Sequence, residues 1–582
     1  MIPYFAKTCA VFLTVTSILI VSAGKVQKDE IVLPSAAAER RAEVKDMFVK
    51  SYEAYRKHAW GHDDLAPRSQ SELHTASRWK RDTHTKSILT GYVDSRNGWG
   101  ASVVDGMSTM LIMDLDDYFN EAVNFTSKID FSRSKTYGTV SVFETTIRYL
   151  GGLLSAYELS GEKFPVLVAK AKEVADKMSF AWVGKNDIPF GHLDFATNRP
   201  QISTTNIAEA GTLLMEWGTL SKYTGDDKYR QLAEKAMHRI ATNPSPLPGL
   251  AAQGIDPSIG SPVGGYVTWG GGSDSYFEYL IKYTRLNDTA DPLLADTWKV
   301  AVDSSIRTLL KRSVYGNQTY LADYDGLKHI VHISSHLACF HGGNWLLGGR
   351  MLNNQTIVDI ALQLVDSCWN TYASTATGIG PEVFAFTSDD GTYTGRAPPS
   401  RADQEFNKAH GFYIDTSSYI LRPEVLESNF YAWRVTGDTK YFDRAASAVQ
   451  SFQKHLPVKD AYAGIWNVDV VPTVKYDHME SFWFAEVLKY LYLTFEDPTR
   501  FSLDEYVFNT EAQPLKAPPP KETYGSATGL IVPENPLPFV PIDAPTPTYS
   551  QSPTLPPSVL CNTGDILKGF LAAALRLVGF YF

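Results

Sequence analysis

Acidic side chains set among aromatic residues are the feature of this sequence best suited to chemistry. The segment VFETTIRYLGGLLSAY, which begins at Val142, is apolar except for a stripe of Glu144, Arg148, Gly151 and Ser155 at helical spacing. Because the flanking residues are apolar, the pattern predicts a buried helix whose polar stripe faces a cavity. A solvent-exposed ion pair between Glu144 and Arg148 is the alternative, since such pairs are common on helix surfaces.

A second acidic pair lies in GGGSDSYFEYL, where Asp274 and Glu278 are four residues apart on a predicted helix. Like charges at this spacing repel each other, so the pair indicates cation binding or proton transfer, with solvent exposure as the alternative. Further acids stand in aromatic-rich segments nearer the C terminus: Glu424, Glu427, Glu480 and Glu486. For Glu424 the alternative is a structural role at the start of a helix, where the helix dipole favours a negative charge. For Glu480 the alternative is a capping box with Asp477. Many carboxyl groups beside many aromatic rings are typical of carbohydrate chemistry.

The segment KHIVHISSHLACFHGG offers a different chemistry, because histidines near a cysteine can bind zinc. The candidate ligands are His329, His332, His336, Cys339 and His341. No second cysteine or acid completes a recognisable ligand spacing, so zinc is disfavoured. Of the four cysteines, Cys9 and Cys561 lie near the chain ends, which leaves Cys339 and Cys368 as the expected disulfide pair in an oxidising compartment. His336 is then expected to contact substrate or to pack inside the protein.

The elements that would position these side chains are helices joined in pairs. An apolar-periodic helix, a short polar turn and another helix recur, and the turns at Ser160, Thr224 and Thr284 are evenly spaced. Repetition at this period favours helix hairpins arranged around an axis. The sequence therefore predicts an all-α fold, an α/α toroid with a few short β hairpins, whose inner helices line a central cavity.

Composition and chain ends limit the classes of protein. The 582 residues carry a formal net charge of −10, which argues against a nucleic-acid binder that relies on phosphate contacts. Residues 1–23 are predicted to be a signal peptide cleaved after Ala23, with an uncleaved signal anchor as the alternative. Residues 24–42 are a lead-in, 43–516 the catalytic toroid, and 517–582 a tail rich in Pro, Ser and Thr that ends in an apolar stretch.

A secretory location follows from the predicted leader, inside the pathway or outside the cell. Acceptor sequons agree with it, and they are at Asn124, Asn287, Asn317 and Asn354. A lipid anchor or membrane contact through residues 566–582 is an alternative for the tail.

Successive blocks of the chain are similar to a known family. FETTIRYLGGLLSAY, GGGSDSYFEYL, HLACFHGGNW, GIGPE, YILRPEVLESNFYAWRVTGD, MESFWFAEVLKYLY and VFNTEAQPL resemble, in order, the signatures of glycoside hydrolase family 47, the class I α-1,2-mannosidases. The resemblance implies a toroid of seven helix hairpins with one bound Ca²⁺. It also implies removal of α-1,2-linked mannose from high-mannose N-glycans of glycoproteins, with inversion of configuration, by an enzyme that we expect to be a monomer.

The resemblance assigns roles to individual positions. Glu144 and Asp274 are rival general acids, Glu424 is the base that activates water, and Thr510 is the direct protein ligand of calcium. Residues expected to bind substrate are Arg148, His336, Arg422, Glu427, Glu480, Glu486 and Gly272. Glu511 would orient waters or sugar around the ion.

Three positions depart from the family pattern. Gln513 stands where a His is usual and is expected to alter local packing while leaving Thr510 untouched. Ser108 stands where an Asp is common, which weakens any role that the family assigns to that position. Gly272 replaces an Arg that selects one glycan branch in the endoplasmic-reticulum subgroup, so a small residue predicts broad trimming of several mannoses. A non-catalytic mannose-binding relative and a glucoamylase-like toroid enzyme are the alternative classes. The acids at 144, 274 and 424 argue against the first, and the ordered blocks against the second.

Overall fold

Fourteen helices of the described chain build two concentric layers. The computed structural model describes residues 24–69, 91–287, 291–526 and 539. In chain order the helices are α1 (Ala37–His58), α2 (Ala101–Ile112), α3 (Asp116–Thr126), α4 (the consecutive segments Val142–Thr145, Thr146–Leu150 and Gly151–Leu159), α5 (Pro165–Met178), α6 (Leu214–Thr224), α7 (Lys228–Thr242), α8 (Asp274–Leu286), α9 (Leu293–Thr308), α10 (Phe340–Met351), α11 (Gln355–Ala373), α12 (Glu424–Thr436), α13 (Thr439–His455) and α14 (Trp483–Val487 with Leu488–Phe495). Two shorter helices, Ile207–Gly211 and Arg401–His410, lie in connections.

The even-numbered helices form a closed inner ring. Each contacts the next, in the order α2, α4, α6, α8, α10, α12 and α14, and α14 contacts α2 again. The odd-numbered helices lie outside: α3, α5, α7, α9, α11 and α13 each pack against the inner helix that precedes them, and α1 packs against α14. The predicted α/α toroid of seven hairpins is confirmed.

The two layers differ in how their residues are buried. Inner helix α2 is buried along nearly its whole length, whereas outer helix α13 buries Tyr441, Phe442, Ala445 and Phe452 at intervals of a helical turn. An outer helix needs only one apolar stripe, since its other face meets water. Helices α6 and α12 end in left-handed glycines, Gly225 and Gly437, which are the turns expected from the hairpin pattern.

The β structure consists of short antiparallel strands in the connections. The two-stranded sheets pair Asp64–Leu65 with Tyr92–Val93, Leu310–Arg312 with Thr319–Leu321, Asp323–Tyr324 with Ile330–Val331, Pro457–Val458 with Ala461–Tyr462, and Tyr506–Phe508 with Pro514–Lys516. The three-stranded sheets are Val140–Ser141, His192–Asp194 and Arg199–Pro200; Thr205–Asn206, Gly254–Asp256 and Ser261–Val263; and Ile333–Ser335, Val383–Ala385 and Tyr413–Thr416.

The hairpin of strands 506–508 and 514–516 differs from the others because its turn enters the inner ring. We call this hairpin the plug. The Asn509 side chain donates hydrogen bonds to Glu216 of α6 and to the carbonyl of Ile147 in α4, and Lys489 of α14 donates to the carbonyl of Ala512. The plug therefore closes one end of the ring, and its turn forms the floor of the cavity.

Both ends of the described chain pack against the toroid. The amide of Val26 donates to Asp504 Oδ1 (2.7 Å), and Arg285 of α8 donates to the carbonyl of Pro518 (2.7 Å). Tyr524 is buried, so ordered packing continues beyond the predicted limit at residue 516. The predicted signal peptide, 1–23, and the apolar chain end, 566–582, lie outside the described residues. Within the described part, no helix is long and apolar enough to cross a membrane.

The predicted disulfide between Cys339 and Cys368 is confirmed, and it ties the start of α10 to α11. The sequons differ in their surroundings. Asn124, Asn317 and Asn354 are exposed, whereas Asn287 is half-buried and donates from its amide to the Tyr283 hydroxyl (2.8 Å). Glycosylation at the four sites stays a prediction.

Candidate active site

The polar stripe of α4 divides between the cavity and the plug. Glu144 accepts a hydrogen bond from Arg148 Nε (2.8 Å), and Arg148 also pairs with Glu511 of the plug turn. The two residues nearer the C-terminal end of the helix contact the plug instead. An added Cβ at Gly151 would lie 2.6 Å from the side-chain nitrogen of Asn509, and Ser155 donates to the carbonyl of Pro514. Only Glu144 and Arg148 therefore face the cavity, which corrects the prediction for Gly151 and Ser155.

Glu424 is held in a well-defined orientation. Its carboxylate accepts a hydrogen bond from His336 Nδ1 (2.7 Å), and His336 Nε2 lies 2.8 Å from the Tyr372 hydroxyl. Burial favours the protonated carboxyl, but the His336 hydrogen bond and the nearby Arg422 outweigh it and lower the Glu424 pKa below its usual value. An ionised, oriented carboxylate of this kind is suited to act as a general base.

Arg422 is fixed beside Glu424 by a further acid. Its guanidinium donates from Nε to Glu382, whose other oxygen accepts from the Ile420 amide (3.0 Å). Arg422 also lies 3.9 Å from a Glu424 oxygen. Glu382 thus binds the Nε side of the guanidinium and balances part of its charge, while Nη1 lies toward Glu424.

Asp274 has the opposite electrostatic environment. It opens α8, and its Oδ1 accepts a hydrogen bond from the next amide, Ser275 N (2.8 Å). Burial raises the Asp274 pKa to about 7, and the carboxylates of Glu278 and Glu424 add to the rise. Asp274 therefore retains its proton near neutral pH, as a general acid must.

Glu144, the rival acid, is held ionised. Burial alone would raise its pKa, but the charges of Arg148 and Arg96 lower it to about 2. Arg96 reaches Glu144 at 3.6 Å and also donates to Glu480 (2.9 Å). The carboxyl groups of Asp274 and Glu144, which the sequence leaves equivalent, are thus separated by about five units of pKa.

Deeper in the ring, acids outnumber bases. Burial raises the pKa of Glu486 well above its usual value, and the charges of Glu424 and Glu427 raise it further. Burial likewise raises the Glu427 pKa to about 8, although Lys282 lies 3.5 Å away. Lys282 is shared with Glu278, its partner four residues earlier on α8. The excess of carboxyl groups forms a site that favours hydroxyl donors or a cation.

The plug turn presents oxygen atoms to this acidic region. Within the described chain, the only hydrogen bond formed by Thr510 joins its amide to the Tyr279 hydroxyl (3.4 Å), so its hydroxyl and carbonyl oxygens have none. Tyr279 in turn donates to Glu216 (2.5 Å), whose second oxygen is buried and has no hydrogen-bond partner among the described residues. Oxygen donors next to unbalanced carboxylates suit a hard cation such as Ca²⁺, so the residues present fit the metal that the resemblance implies.

A second group of possible metal ligands lies at Asp64, His478 and Glu480. Arg96 donates to both Asp64 (3.1 Å) and Glu480, so a guanidinium already balances the two carboxylates. The charges of Glu480 and Asp64 outweigh burial and raise the His478 pKa to about 9, and a protonated imidazole does not ligate a metal. This cluster does not fit a cation.

Two alternatives from the sequence are excluded by the positions of their residues. The predicted zinc ligands are dispersed: Cys339 is in the disulfide, His336 bonds Glu424, His332 lies 2.8 Å from the Ser388 hydroxyl, and burial lowers the pKa of His341 to about 3. The capping box at Asp477 and Glu480 does not form. Asp477 accepts from the Arg68 and Ser69 amides instead, and α14 begins only at Trp483.

Gly272 leaves less space than expected. Its φ of +84° is a conformation that disfavours any side chain, and an added Cβ would lie 2.9 Å from Gln253 Nε2. Gln253 donates from this nitrogen to the carbonyl of Gly271 (2.8 Å). A glutamine amide therefore occupies the position beside the glycine.

Sequence reasoning missed the residues that orient the candidate catalytic groups. Arg96 and Tyr372 lie outside the signature blocks, and nothing in their local sequence marks them. Glu382 is the last residue of the GIGPE block, so its place in a recognised signature was the one available signal.

Comparisons with known proteins agree with this geometry. The model of glycosyl hydrolase family 47 matches residues 47–517. A probable mannosyl-oligosaccharide α-1,2-mannosidase 1B of Aspergillus clavatus is 39% identical over 507 residues, covering 82% of this chain and 93% of its own. The Aspergillus phoenicis mannosyl-oligosaccharide α-1,2-mannosidase 1B is 38% identical over 510 residues, covering 83% and 92%.

One solved structure extends the similarity to the fold. The α-1,2-mannosidase from Trichoderma reesei superposes with a TM-score of 0.76 at 36% identity, covering 83% of this chain and 99% of that one. The order of the signature blocks, the ring of seven hairpins and the acid-lined cavity therefore lead to the same conclusion as the comparisons. The chain belongs to glycosyl hydrolase family 47.

Proposed function

We propose that the protein is an inverting exo-α-1,2-mannosidase that trims terminal mannose from high-mannose N-glycans. The relatives that support this substrate are fungal enzymes named mannosyl-oligosaccharide α-1,2-mannosidase. The observation that carries the proposal is the division of protonation states in one cavity, with Asp274 protonated and Glu424 ionised near neutral pH. An inverting glycosidase needs such a pair, one carboxyl to protonate the leaving oxygen and one to activate water.

In this mechanism Asp274 donates its proton to the glycosidic oxygen. Glu424, oriented by His336 and Tyr372, accepts a proton from the attacking water on the opposite face of the sugar. Glu144 stays ionised beside Arg148 and supports the positive charge that develops on the sugar ring. If a water lies between Glu144 and the glycosidic oxygen, Glu144 acts only by polarising it, because a carboxyl group with a pKa of about 2 holds no proton to give.

The remaining polar groups of the cavity bind the sugar. Arg148 and Arg422 offer donors to hydroxyl oxygens, and Glu427, Glu480 and Glu486 accept from hydroxyl hydrogens. His336, expected to contact substrate, instead orients Glu424, because both of its ring nitrogens are already engaged by Glu424 and the Tyr372 hydroxyl. A mannose-binding protein without catalysis would need the same contacts. It would not need an acid and a base with separated pKa values, which is why we favour the enzyme.

A calcium ion is proposed at the plug turn. Thr510 would hold it through its hydroxyl and carbonyl oxygens, with Glu511 orienting surrounding waters or sugar. A bound Ca²⁺ would coordinate sugar hydroxyls and so fix the ring at the cavity floor. We further propose that the enzyme works as a monomer in the secretory pathway or outside the cell, and that with glycine at 272 it trims several mannoses.

A time course of mannose release tests these proposals together. Purified protein is given a high-mannose glycan and α-1,2-mannobiose, with Ca²⁺ or after exhaustive chelation, and the anomer released first is read by proton NMR. We expect β-mannose, release from both substrates and loss of activity on chelation that added Ca²⁺ restores. Full activity after chelation would overturn the calcium proposal. Release of α-mannose as the first product would overturn the inverting mechanism. A reaction that stops after one mannose would overturn the proposal of broad trimming.

A further inference from the structure

The two residues that depart from the family pattern around the cavity floor are in direct contact. Ser108, on inner helix α2, donates a hydrogen bond from its hydroxyl to Gln513 Oε1 (2.6 Å). Both side chains are completely buried. The residues are 405 positions apart in the chain, so their contact is a property of the fold that no local sequence pattern shows.

Gln513 also closes the plug turn. Its amide donates to Asn509 Oδ1 (2.7 Å), and its carbonyl accepts from the Asn509 amide (3.0 Å). Asn509 Oδ1 accepts a second bond from the Glu511 amide (2.9 Å). Residues 509 and 513 thus form the two ends of a five-residue loop from which Thr510 and Glu511 project.

The orientation of the Gln513 amide is fixed by a third group. Gln513 Nε2 donates to the carbonyl of Asp105 (3.2 Å), so Oε1 must be the atom that faces Ser108. A residue at position 108 must therefore donate, as the Ser108 hydroxyl does. The carboxylate of the same residue, Asp105, accepts a hydrogen bond from the Ser481 hydroxyl and lies 3.6 Å from Arg148.

We propose that Ser108 and Gln513 are a matched pair of positioning residues that hold the plug turn in the conformation in which Thr510 binds a divalent cation. This inference rests on the proposed calcium site. If only a fraction of the molecules has the turn in that conformation, the apparent Kd rises by the inverse of the fraction. The pair raises that fraction, because an ordered turn is closed by buried hydrogen bonds that a displaced turn would leave unsatisfied.

The test is a calcium titration by calorimetry on chelator-treated full-length protein. Ser108→Ala should weaken Ca²⁺ binding about fivefold and Gln513→Leu about tenfold or more, as expected for the loss of one and of two buried side-chain hydrogen bonds. The double variant should bind like Gln513→Leu alone, because the Ser108 bond is already absent. Such non-additivity identifies an interacting pair.

Ser155→Ala is the matched control. The Ser155 hydroxyl is equally buried and donates to the carbonyl of Pro514 (2.7 Å), one residue beyond the turn. Its loss should lower the Tm of the protein while the calcium Kd stays within about twofold. A residue with a merely structural role would behave in this way.

A charged replacement gives a second test. Ser108→Asp alone sets a carboxylate against Gln513 Oε1 and should weaken Ca²⁺ binding. In Ser108→Asp/Gln513→His the carboxylate faces an imidazolium, whose other N–H can donate to the Asp105 carbonyl. The double replacement should therefore recover at least half of the affinity lost in Ser108→Asp, on a logarithmic scale.

The outcomes separate the pair from the metal site. If the wild-type protein binds no Ca²⁺, the calcium proposal falls and the role of the pair falls with it. If the wild-type protein binds Ca²⁺ but Ser108→Ala and Gln513→Leu bind it equally well, only the pair is overturned. Should Gln513→Leu not fold, Ser108→Ala decides the question, since it removes one hydrogen bond with little change in volume.

Discussion

The pH dependence of turnover tests the assignment of Asp274 as the acid. A general acid acts only while protonated, and burial together with Glu278 and Glu424 raises the Asp274 pKa to about 7. Above that pH, kcat/KM should fall about tenfold for each unit, because the protonated fraction falls by that factor. At pH 8 roughly one molecule in eleven retains the proton, so about a tenth of the maximal activity should remain.

The acidic limb of the same profile reports the base. Burial opposes ionisation of Glu424, but His336 and Arg422 outweigh it and lower its pKa below the usual 4.5. A base must be ionised, so activity should be lost only as the pH falls through that lowered value. The profile should thus be a plateau that extends from below about pH 4.5 to about pH 7.

Glu278→Gln is the perturbation that makes the assignment specific. It removes one negative charge that raises the Asp274 pKa, so the alkaline limb should move to lower pH while the acidic limb stays. Glu234→Gln is the control, because Glu234 lies on outer helix α7 and accepts from Tyr283 away from the cavity. Rates are measured on α-1,2-mannobiose at saturating Ca²⁺. A wild-type profile that is flat to pH 9, or an alkaline limb unmoved in Glu278→Gln, would refute the reasoning.

Three further outcomes are expected. Glu424→Gln should lower kcat by about 10³-fold or more while substrate binding, measured by calorimetry, is retained; weakened binding with little loss of kcat would argue against a base. Replacing Cys339 and Cys368 by Ser should destabilise the protein by about 3.5 kcal/mol for a loop of 29 residues, or about 3 °C in Tm; an unchanged Tm would contradict this. Gly272→Arg should lower the Tm, because position 272 has a φ of +84° and an added side chain would contact Gln253. Adding Gln253→Gly to this variant should restore part of the lost Tm. An unchanged Tm in Gly272→Arg alone would show that the turn can relax.

The fold could be predicted because its signals are local. The hairpins found in the sequence carry an apolar-periodic helix and a turn residue, as at Thr224 followed by Gly225, and their repetition favours a ring. The number of seven hairpins came from the family resemblance. The plug could not be predicted in this way. Nothing in the local sequence of its two strands distinguishes them from the other short hairpins. The position of the plug inside the ring depends on contacts from Asn509 to α4 and α6, more than 290 residues earlier.

The candidate site shows the same limit on a smaller scale. The sequence identified the acids, because carboxyl groups inside aromatic helices are unusual, and it left Glu144 and Asp274 as equal candidates for the proton donor. Their local sequences cannot separate them, since both lie near the start of an inner helix. Arg96, from a loop before α2, contacts Glu144 and not Asp274, and together with Arg148 it keeps Glu144 ionised.

The difference between the two acids therefore depends on where the cations lie, and this has a consequence for Arg96. Removing it by Arg96→Met would take away one of the two charges that hold the Glu144 pKa at about 2, and would also leave Asp64 and Glu480 with His478 as their remaining shared partner. The Glu144 pKa should rise while that of Asp274, which has no contact with Arg96, should stay. If Asp274 supplies the proton, the alkaline limb of kcat/KM stays near pH 7 in this variant even though the overall rate falls. A limb that moved with Arg96 would instead identify Glu144 as the donor.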